Sequence, residues 1–181
     1  MLFRSGGGLG CAIAYPVAKA LHDAGVEADL IAGFRTKELI IIEDMMRGAC
    51  TRLHLCTDDG SFGFKGFVTD KLKELIEGGG YDHVFAIGPL IMMKFVCRLT
   101  KSYDIPTTVS MNPVMVDGTG MCGCCRVTVG GEMRFACVDG PDFDGFLVDF
   151  DEVIARNASY KDYEARKKEE HVCRLRGAGN A

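Results

Sequence analysis

No stretch of the sequence runs for roughly 18 apolar residues, the length a membrane-crossing helix needs. Residues 39–42 (LIII) are followed at once by Glu43 and Asp44. No sustained basic run is present either. Arg166, Lys167 and Lys168 are followed by Glu169 and Glu170, and the formal net charge is −4, which speaks against a nucleic-acid partner. Residues 1–5 (MLFRS) lead straight into glycines and do not read as a signal peptide. Membrane and export are therefore set aside, and a cytoplasmic location is expected. Histidine is scarce. His22, His54, His83 and His171 show no pairing with a thiol that would suggest cysteine-based catalysis.

What is there is a core-forming chain. Hydrophobic residues make up 48% of the 181 positions, enough for a packed interior. The first two-thirds alternates helix and strand. A helix is expected over 14–24, with Pro16 in its first turn and Gly25 just past its end. Strands are expected at 26–32, 52–56, 82–87 and 107–111. Helices are expected at 37–49, 69–77 and 88–103. Short strands alternating with longer helices imply a parallel, doubly wound α/β sheet. Only Leu2 and Phe3 stand ready to form a strand ahead of the first glycines, so the first strand is expected to be missing or shortened. After residue 112 the periodicity stops. Strands at 126–129 and 133–138 flank Gly130 and Gly131 as a hairpin, 139–142 reads as a turn, and a charged helical tail follows from Asp151. The expected division is a nucleotide-binding unit over 1–111, a cysteine-bearing module over 112–150 and a helical tail over 151–181.

Three loops follow strands at one edge of the expected sheet, where ligands bind in open α/β folds. Residues 6–10 (GGGLG) precede a helix and would let a pyrophosphate approach the backbone. The G-x-G-x-x-G fingerprint is incomplete there, because Cys11 takes the last glycine position. Residues 57–61 (TDDGS) and the pair Gly88, Pro89 form the other two loops. Candidate cofactor contacts are Gly7, Gly8, Gly10, Thr57, Asp58, Asp59, Gly88, Pro89 and Met92. No acidic residue clearly ends the second strand to hold a ribose hydroxyl. Arg35 lies just beyond it and offers a 2′-phosphate contact or plain surface charge, so NAD(H) and NADP(H) both stay open. The pairs Met45, Met46 and Met92, Met93 read first as core packing.

Nine cysteines are many for this length. Without an export signal they point to a metal site rather than disulfides. The strongest pattern is Asp117-x4-Cys122-x2-Cys125-x11-Cys137. Plant-type ferredoxins hold a [2Fe–2S] cluster with C-x4-C-x2-C and a distant fourth cysteine. Here Asp117 takes the first position, and a carboxylate also binds iron. Gly118, Gly120 and Gly123 give the loop freedom to wrap a cluster and donate N–H groups to its sulfurs. Cys124 is a rival ligand. A zinc-stabilised binding module with four thiolates is the alternative reading of the same residues.

Residues 6–10, 57–61, 87–89 (IGP) with Met92 and Met93, 112–125 (NPVMVDGTGMCGCC) and 135–141 (FACVDGP) together resemble the dihydroorotate dehydrogenase electron-transfer subunit family. Within it they are most similar to the small subunits of NADH-dependent ferredoxin:NADP oxidoreductases, also called sulfide dehydrogenases. The resemblance runs roughly from Ser5 to Ile154. It implies a ferredoxin-reductase-like nucleotide domain followed by a [2Fe–2S] module. It also implies FAD and NAD(P)H as electron-transfer cofactors. The implied partner is a larger catalytic subunit, glutamate-synthase-like or dihydroorotate-dehydrogenase-like, with ferredoxin as a further possibility. Aspartate at the position of Asp117 is what the nearer relatives are expected to carry. Members place an FAD-binding barrel ahead of the nucleotide domain, and this sequence is expected to begin inside that domain. Most FAD contacts are then expected outside it, and a non-catalytic electron-carrier fragment is the rival function.

Overall fold

The computed structural model describes residues 2–159 and 161–177, and for 2–7 and 170–177 the course of the backbone alone. The elements are β1 (Leu2–Gly7), α1 (Gly10–Asp23), β2 (Ala28–Phe34), α2 (Glu43–Arg47), β3 (Arg52–Thr57), β4 (Phe64–Lys65), α3 (Val68–Glu77), β5 (His83–Ile87), α4 (Leu90–Ser102), β6 (Thr107–Ser110), β7 (Arg126–Val129), β8 (Glu132–Phe135), β9 (Asp142–Asp144), α5 (Phe150–Ala158) and α6 (Lys161–Gly177).

Seven strands form one sheet in the order β4-β3-β2-β1-β5-β6-β9, and β7 and β8 form a separate hairpin. Every neighbour in the large sheet is parallel except β9, which runs antiparallel to β6. The doubly wound α/β expectation is therefore met. Strand order reverses at β1, with β2 on one side and β5 on the other. That reversal opens a crevice at the C-terminal ends of β1 and β5.

The sheet is covered on both faces. Along β2, Ile31 joins one core cluster while Leu30, Ala32 and Phe34 join the other, as the two-residue period of a strand requires. One cluster takes Cys11 and Ala14 from α1 and Met46 from α2. The other takes Leu72 from α3, Met93 and Val96 from α4 and Val153 from α5. Val127 of the hairpin and Val148 belong to this second cluster too, so the core runs on past residue 112.

Four expectations are corrected. The first strand is neither missing nor a stub: β1 has six residues, Gly6 and Gly7 among them, and sits at the centre of the sheet. Glycine is poor in a strand on its own, but a partner on each side supplies both hydrogen-bond ladders. The first helix begins at Gly10 rather than 14, so Pro16 lies inside it. The missing N–H is offset by burial of Cys11, Ala14 and Ala18. The helix expected over 37–49 breaks into a single 3₁₀ turn, Lys37–Leu39, and the short α2. Between them lie three β-branched isoleucines, which resist helix. Ile40, Ile41 and Ile42 pack against the core instead, and Ile42 takes a left-handed φ of 49°. The turn expected at 139–142 ends inside β9, which closes the sheet edge.

Candidate functional site

The crevice is built from two helix starts. β1 runs into Gly8, whose φ is +57° and whose N–H donates to the Gly33 carbonyl at 2.8 Å. α1 then begins at Gly10. A Cβ on Gly10 would lie 2.5 Å from the Ile87 carbonyl oxygen and 3.1 Å from the Gly88 Cα. Only glycine lets α1 approach the exit of β5 this closely. Gly88 and Pro89 then lead into α4. Gly7, Gly8, Gly10, Gly88 and Pro89 are thus brought together at the strand-order reversal.

The charges around this crevice are selective. α2, α3, α5 and α6 each carry acidic residues in the first turn. α1 and α4 carry none. Acidic residues there stabilise a helix by satisfying its positive end. Their absence from the two helices that open at the crevice leaves those ends to an external anion such as a pyrophosphate. Met92 sits half-buried in the first turn of α4, while Met93 behind it is fully buried. Met46 is also fully buried, and Met45 is exposed.

Thr57, Asp58 and Asp59 stand two strands out from β1, at the end of β3. Thr57 is buried. Its hydroxyl donates to the Phe62 carbonyl at 2.7 Å and accepts from the Phe62 N–H at 3.1 Å, so it shapes the loop. Asp59 accepts from the Ser61 hydroxyl at 2.6 Å and N–H at 2.9 Å, which holds its carboxyl below the usual range. Asp58 is exposed. The Asp58 and Asp59 N–H groups donate back to the carbonyls of Phe34 and Arg35, tying this loop to the exit of β2.

The cysteine loop leaves the same edge. β6 ends at Ser110, which pairs with Asp142 at the start of β9. The Met111 N–H donates to the Pro141 carbonyl at 2.9 Å and closes the base of the excursion. Asn112 Nδ2 donates to the Gly88 carbonyl at 3.3 Å. The excursion that holds all four candidate cluster ligands is therefore fastened to the β5–α4 turn.

Inside the loop, Gly118, Gly120 and Gly123 adopt φ of +77°, +83° and +67°. Among the described residues, no three Cys, His, Asp or Glu side chains converge on a point that would hold a single metal ion. The donors come in two groups instead. Cys125 is buried, and its nearby thiol pushes Cys137 up. Cys122 is hydrogen-bonded to both Asp117 and Cys124. Asp117 Oδ1 accepts from the Thr119 N–H at 2.7 Å, and its Oδ2 accepts from the Cys122 N–H at 3.1 Å. The Thr119 N–H leads in holding this carboxyl below its usual range. The Cys124 N–H donates to Cys122 Sγ at 3.5 Å and leads in holding that thiol down.

This arrangement suits a two-iron cluster. Two thiolates on one tetrahedral metal, with bonds of about 2.3 Å, lie about 3.8 Å apart. Asp117 with Cys122, and Cys125 with Cys137, are the pairs that would each serve one iron. The Cys124 N–H reaches Cys122 Sγ, the kind of contact that supports a ligand sulfur.

The remaining described thiols behave differently. Cys11 and Cys97 are pushed up to about 12, and Cys50 and Cys56 to about 11, each chiefly by burial. They fill the core as neutral thiols. The side chains of His171 and Cys173 lie outside the described residues.

Residues 112–149 match the family model of the iron–sulfur cluster binding domain of dihydroorotate dehydrogenase B. A Thermotoga maritima homologue of the dihydroorotate dehydrogenase B (NAD(+)) electron transfer subunit is 50% identical over 159 residues, covering 88% of this chain and 56% of that protein. A Clostridium beijerinckii protein known as the uncharacterized protein in adh 3'region is 56% identical over 162 residues, covering 88% of this chain and 55% of that one. A chain from the structure of NADH-dependent reduced ferredoxin-NADP oxidoreductase, a system of flavin-based electron bifurcation, superposes with a TM-score of 0.86. It is 45% identical and covers 94% of this chain and 62% of that chain. The chain is similar to dihydroorotate dehydrogenase B electron-transfer subunits over most of its own length. Its fold is the ferredoxin-reductase-like fold with the iron–sulfur binding segment attached. It spans about half the length of the curated relatives it matches.

Two residues of this site take roles that their local sequence does not signal. Asn112 opens the 112–125 motif, and it also joins the loop base to Gly88. Gly33 was passed over in a strand, yet it receives the turn N–H of Gly8. In each case the partner lies about two dozen residues away and no local pattern signals it.

Proposed function

We propose that this chain forms the nucleotide-binding and cluster-bearing part of an electron-transfer subunit in a flavin and iron–sulfur oxidoreductase. The observation that carries this reading is the Asn112–Gly88 bond, which fastens the cysteine loop to the crevice where α1 and α4 begin. A pyridine nucleotide site and a cluster loop then share one edge of the sheet.

When bound, a nicotinamide, a flavin and a [2Fe–2S] cluster supply hydride and single-electron chemistry. The chain's own residues supply position. Gly8 and Gly10 admit a pyrophosphate to the start of α1, and Gly88 and Pro89 border the nicotinamide end. Thr57, Asp58 and Asp59 shape the outer wall. Asp117, Cys122, Cys125 and Cys137 hold the cluster. Arg35, exposed beyond β2, is the residue placed to meet a 2′-phosphate should NADP(H) be the nucleotide.

The three-part division belongs to this proposal as a division of labour: residues 1–111 bind nucleotide, 112–150 hold the cluster, and 151–181 form a helical tail. The partner is a larger catalytic subunit, of glutamate-synthase-like or dihydroorotate-dehydrogenase-like type, with ferredoxin as a second acceptor. Met121 and Val116, 89% and 71% exposed on the cysteine loop, give such a partner an apolar landing next to the ligands. No described helix is long and apolar enough to cross a membrane, and a cytoplasmic setting is proposed with the rest.

The test is iron and acid-labile sulfide per chain after anaerobic reconstitution, followed by titration with NADH and NADPH. About two irons and two sulfides per chain are expected, with saturable nucleotide binding. Tightly held zinc without labile sulfide would overturn the reading in favour of a structural metal module.

A further inference from the structure

The outer half of the cluster loop holds one donor more than it needs. A [2Fe–2S] cluster takes two protein ligands at each iron. Cys125 and Cys137 flank the β7–β8 hairpin, where the Ala136 N–H donates to the Cys125 carbonyl at 3.1 Å, and they account for one iron. Cys122, by contrast, has two neighbours. On one side stands Asp117, whose carboxylate accepts the Cys122 N–H at 3.1 Å. On the other stands Cys124, whose N–H reaches Cys122 Sγ at 3.5 Å.

Neighbouring residues in an irregular loop point apart, and here that places Cys125 inward and Cys124 outward. Cys125 is buried at 2% exposure, and Cys124 is half-buried beside the exposed Cys122. Gly123 makes this possible. Its φ of +67° turns the backbone between Cys122 and Cys124 and folds the Cys124 N–H back to Cys122 Sγ. Iron–sulfur clusters favour thiolate donors over carboxylates. Meanwhile both oxygens of Asp117 are engaged by N–H groups of the loop itself.

Resting on the cluster reading above, we propose that Cys124 is a reserve ligand, placed to take over the position of Asp117 at the iron that Cys122 holds. The exchange is a ligand substitution. Cys124 gives up its thiol proton to solvent, its thiolate forms the iron–sulfur bond, and the Asp117 carboxylate leaves as the free anion. No electron changes hands. Asp117 remains in the loop in either state, because its bonds to the Thr119 and Cys122 N–H groups do not require iron.

The experiment compares four chains reconstituted anaerobically with iron and sulfide: wild type, Asp117→Asn, Cys124→Ser and the double variant. Asparagine retains one of the two acceptor oxygens for the loop, and circular dichroism checks that each variant folds. Iron and labile sulfide are counted, and absorption and electron paramagnetic resonance spectra are recorded. Wild type and Cys124→Ser should each hold about two irons with the same spectrum. Asp117→Asn should also hold about two irons, with a shifted, all-thiolate spectrum, and the double variant should hold almost none. If Asp117→Asn loses its iron as fully as the double variant does, the reserve role is overturned. It is equally overturned if the double variant keeps its iron. A wild type that takes up no iron would overturn the cluster reading itself, which is a separate and visible failure.

Discussion

The side-chain amide of Asn112 donates to the Gly88 carbonyl oxygen at 3.3 Å, joining the exits of β6 and β5 beside the crevice. One partner opens the cysteine loop, and the other opens α4. Asn112→Ala removes a single neutral hydrogen bond at a partly exposed site, so unfolding free energy should fall by only about 0.5–1 kcal/mol. The loop base stays closed through Met111 and Pro141. Iron content per chain should therefore be unchanged, while nucleotide affinity weakens because the Gly88 turn loses its tether. Parallel loss of iron and nucleotide would show that Asn112 holds the whole loop rather than the turn.

The bare first turn of α1 gives a sharper test. Leu9 precedes the helix and is 80% exposed, with no acidic side chain after it. Leu9→Asp adds a charge that suits the helix end and should stabilise the fold by about 0.5 kcal/mol. The same charge would oppose a pyrophosphate. Nucleotide binding should weaken by roughly 1 kcal/mol, about fivefold in Kd, and recover as salt is raised. A gain in stability with unchanged affinity would place the nucleotide elsewhere.

Gly10 carries the packing side of the same site. With a Cβ only 2.5 Å from the Ile87 carbonyl oxygen, Gly10→Ala must push α1 off the exit of β5. Such overpacking costs about 1–3 kcal/mol. Chemical denaturation should report that loss, and nucleotide titration should report a loss of binding beyond it. Gly8→Ala, where nothing lies within 4 Å, should cost only the strain of its φ of +57°.

The parallel sheet was legible because its signals are local: apolar runs of strand length, helix spacing, and glycines at the exits of β1 and β5. The paired cysteines were legible for the same reason, since Cys122, Cys124 and Cys125 are set by spacing alone. What stayed hidden depended on distant partners. The central strand β1 was missed because Gly6 and Gly7 look like a turn until β2 and β5 are seen to flank them. Edge strands β4 and β9, two and three residues long, are too short to show a period. The isoleucines at 40–42 mimic a helix face while filling a core.

Asp29 is the plainest case of a residue that no local pattern explains. It is wholly buried in β2, at the end of the sheet away from the crevice. Arg52 grips its carboxylate with Nε at 3.0 Å and with a second nitrogen at 2.7 Å, and the Tyr81 hydroxyl donates to it at 2.5 Å. A buried carboxylate stripped of its cation is costly, so Arg52→Leu should destabilise by about 2–3 kcal/mol. Tyr81→Phe should cost about 1–2 kcal/mol. Both variants should bind nucleotide as the wild type does, provided they are assayed below their unfolding midpoints. Lost affinity in the folded variants would mean that the two ends of the sheet are coupled.

The thiols separate by reactivity. Burial pushes Cys11 and Cys97 up to about 12, and Cys50 and Cys56 up to about 11, whereas Cys122 is exposed and lowered by N–H donors. The thiolate is the nucleophile, so alkylation of cluster-free protein near neutral pH should mark Cys122 first. The four core thiols should stay unmodified until the chain unfolds, as peptide mapping by mass spectrometry would reveal. The same burial fixes the sign of an alkaline effect. A thiol whose value rises on folding favours the folded state below its ordinary value of 9.0, and that stability drains away as pH climbs towards 12. The denaturation midpoint should accordingly fall between pH 9 and pH 12. Cys11→Ala and Cys97→Ala together should flatten that fall while lowering stability at neutral pH through the cavities they leave. An unchanged alkaline slope in the double variant would assign the loss to other groups.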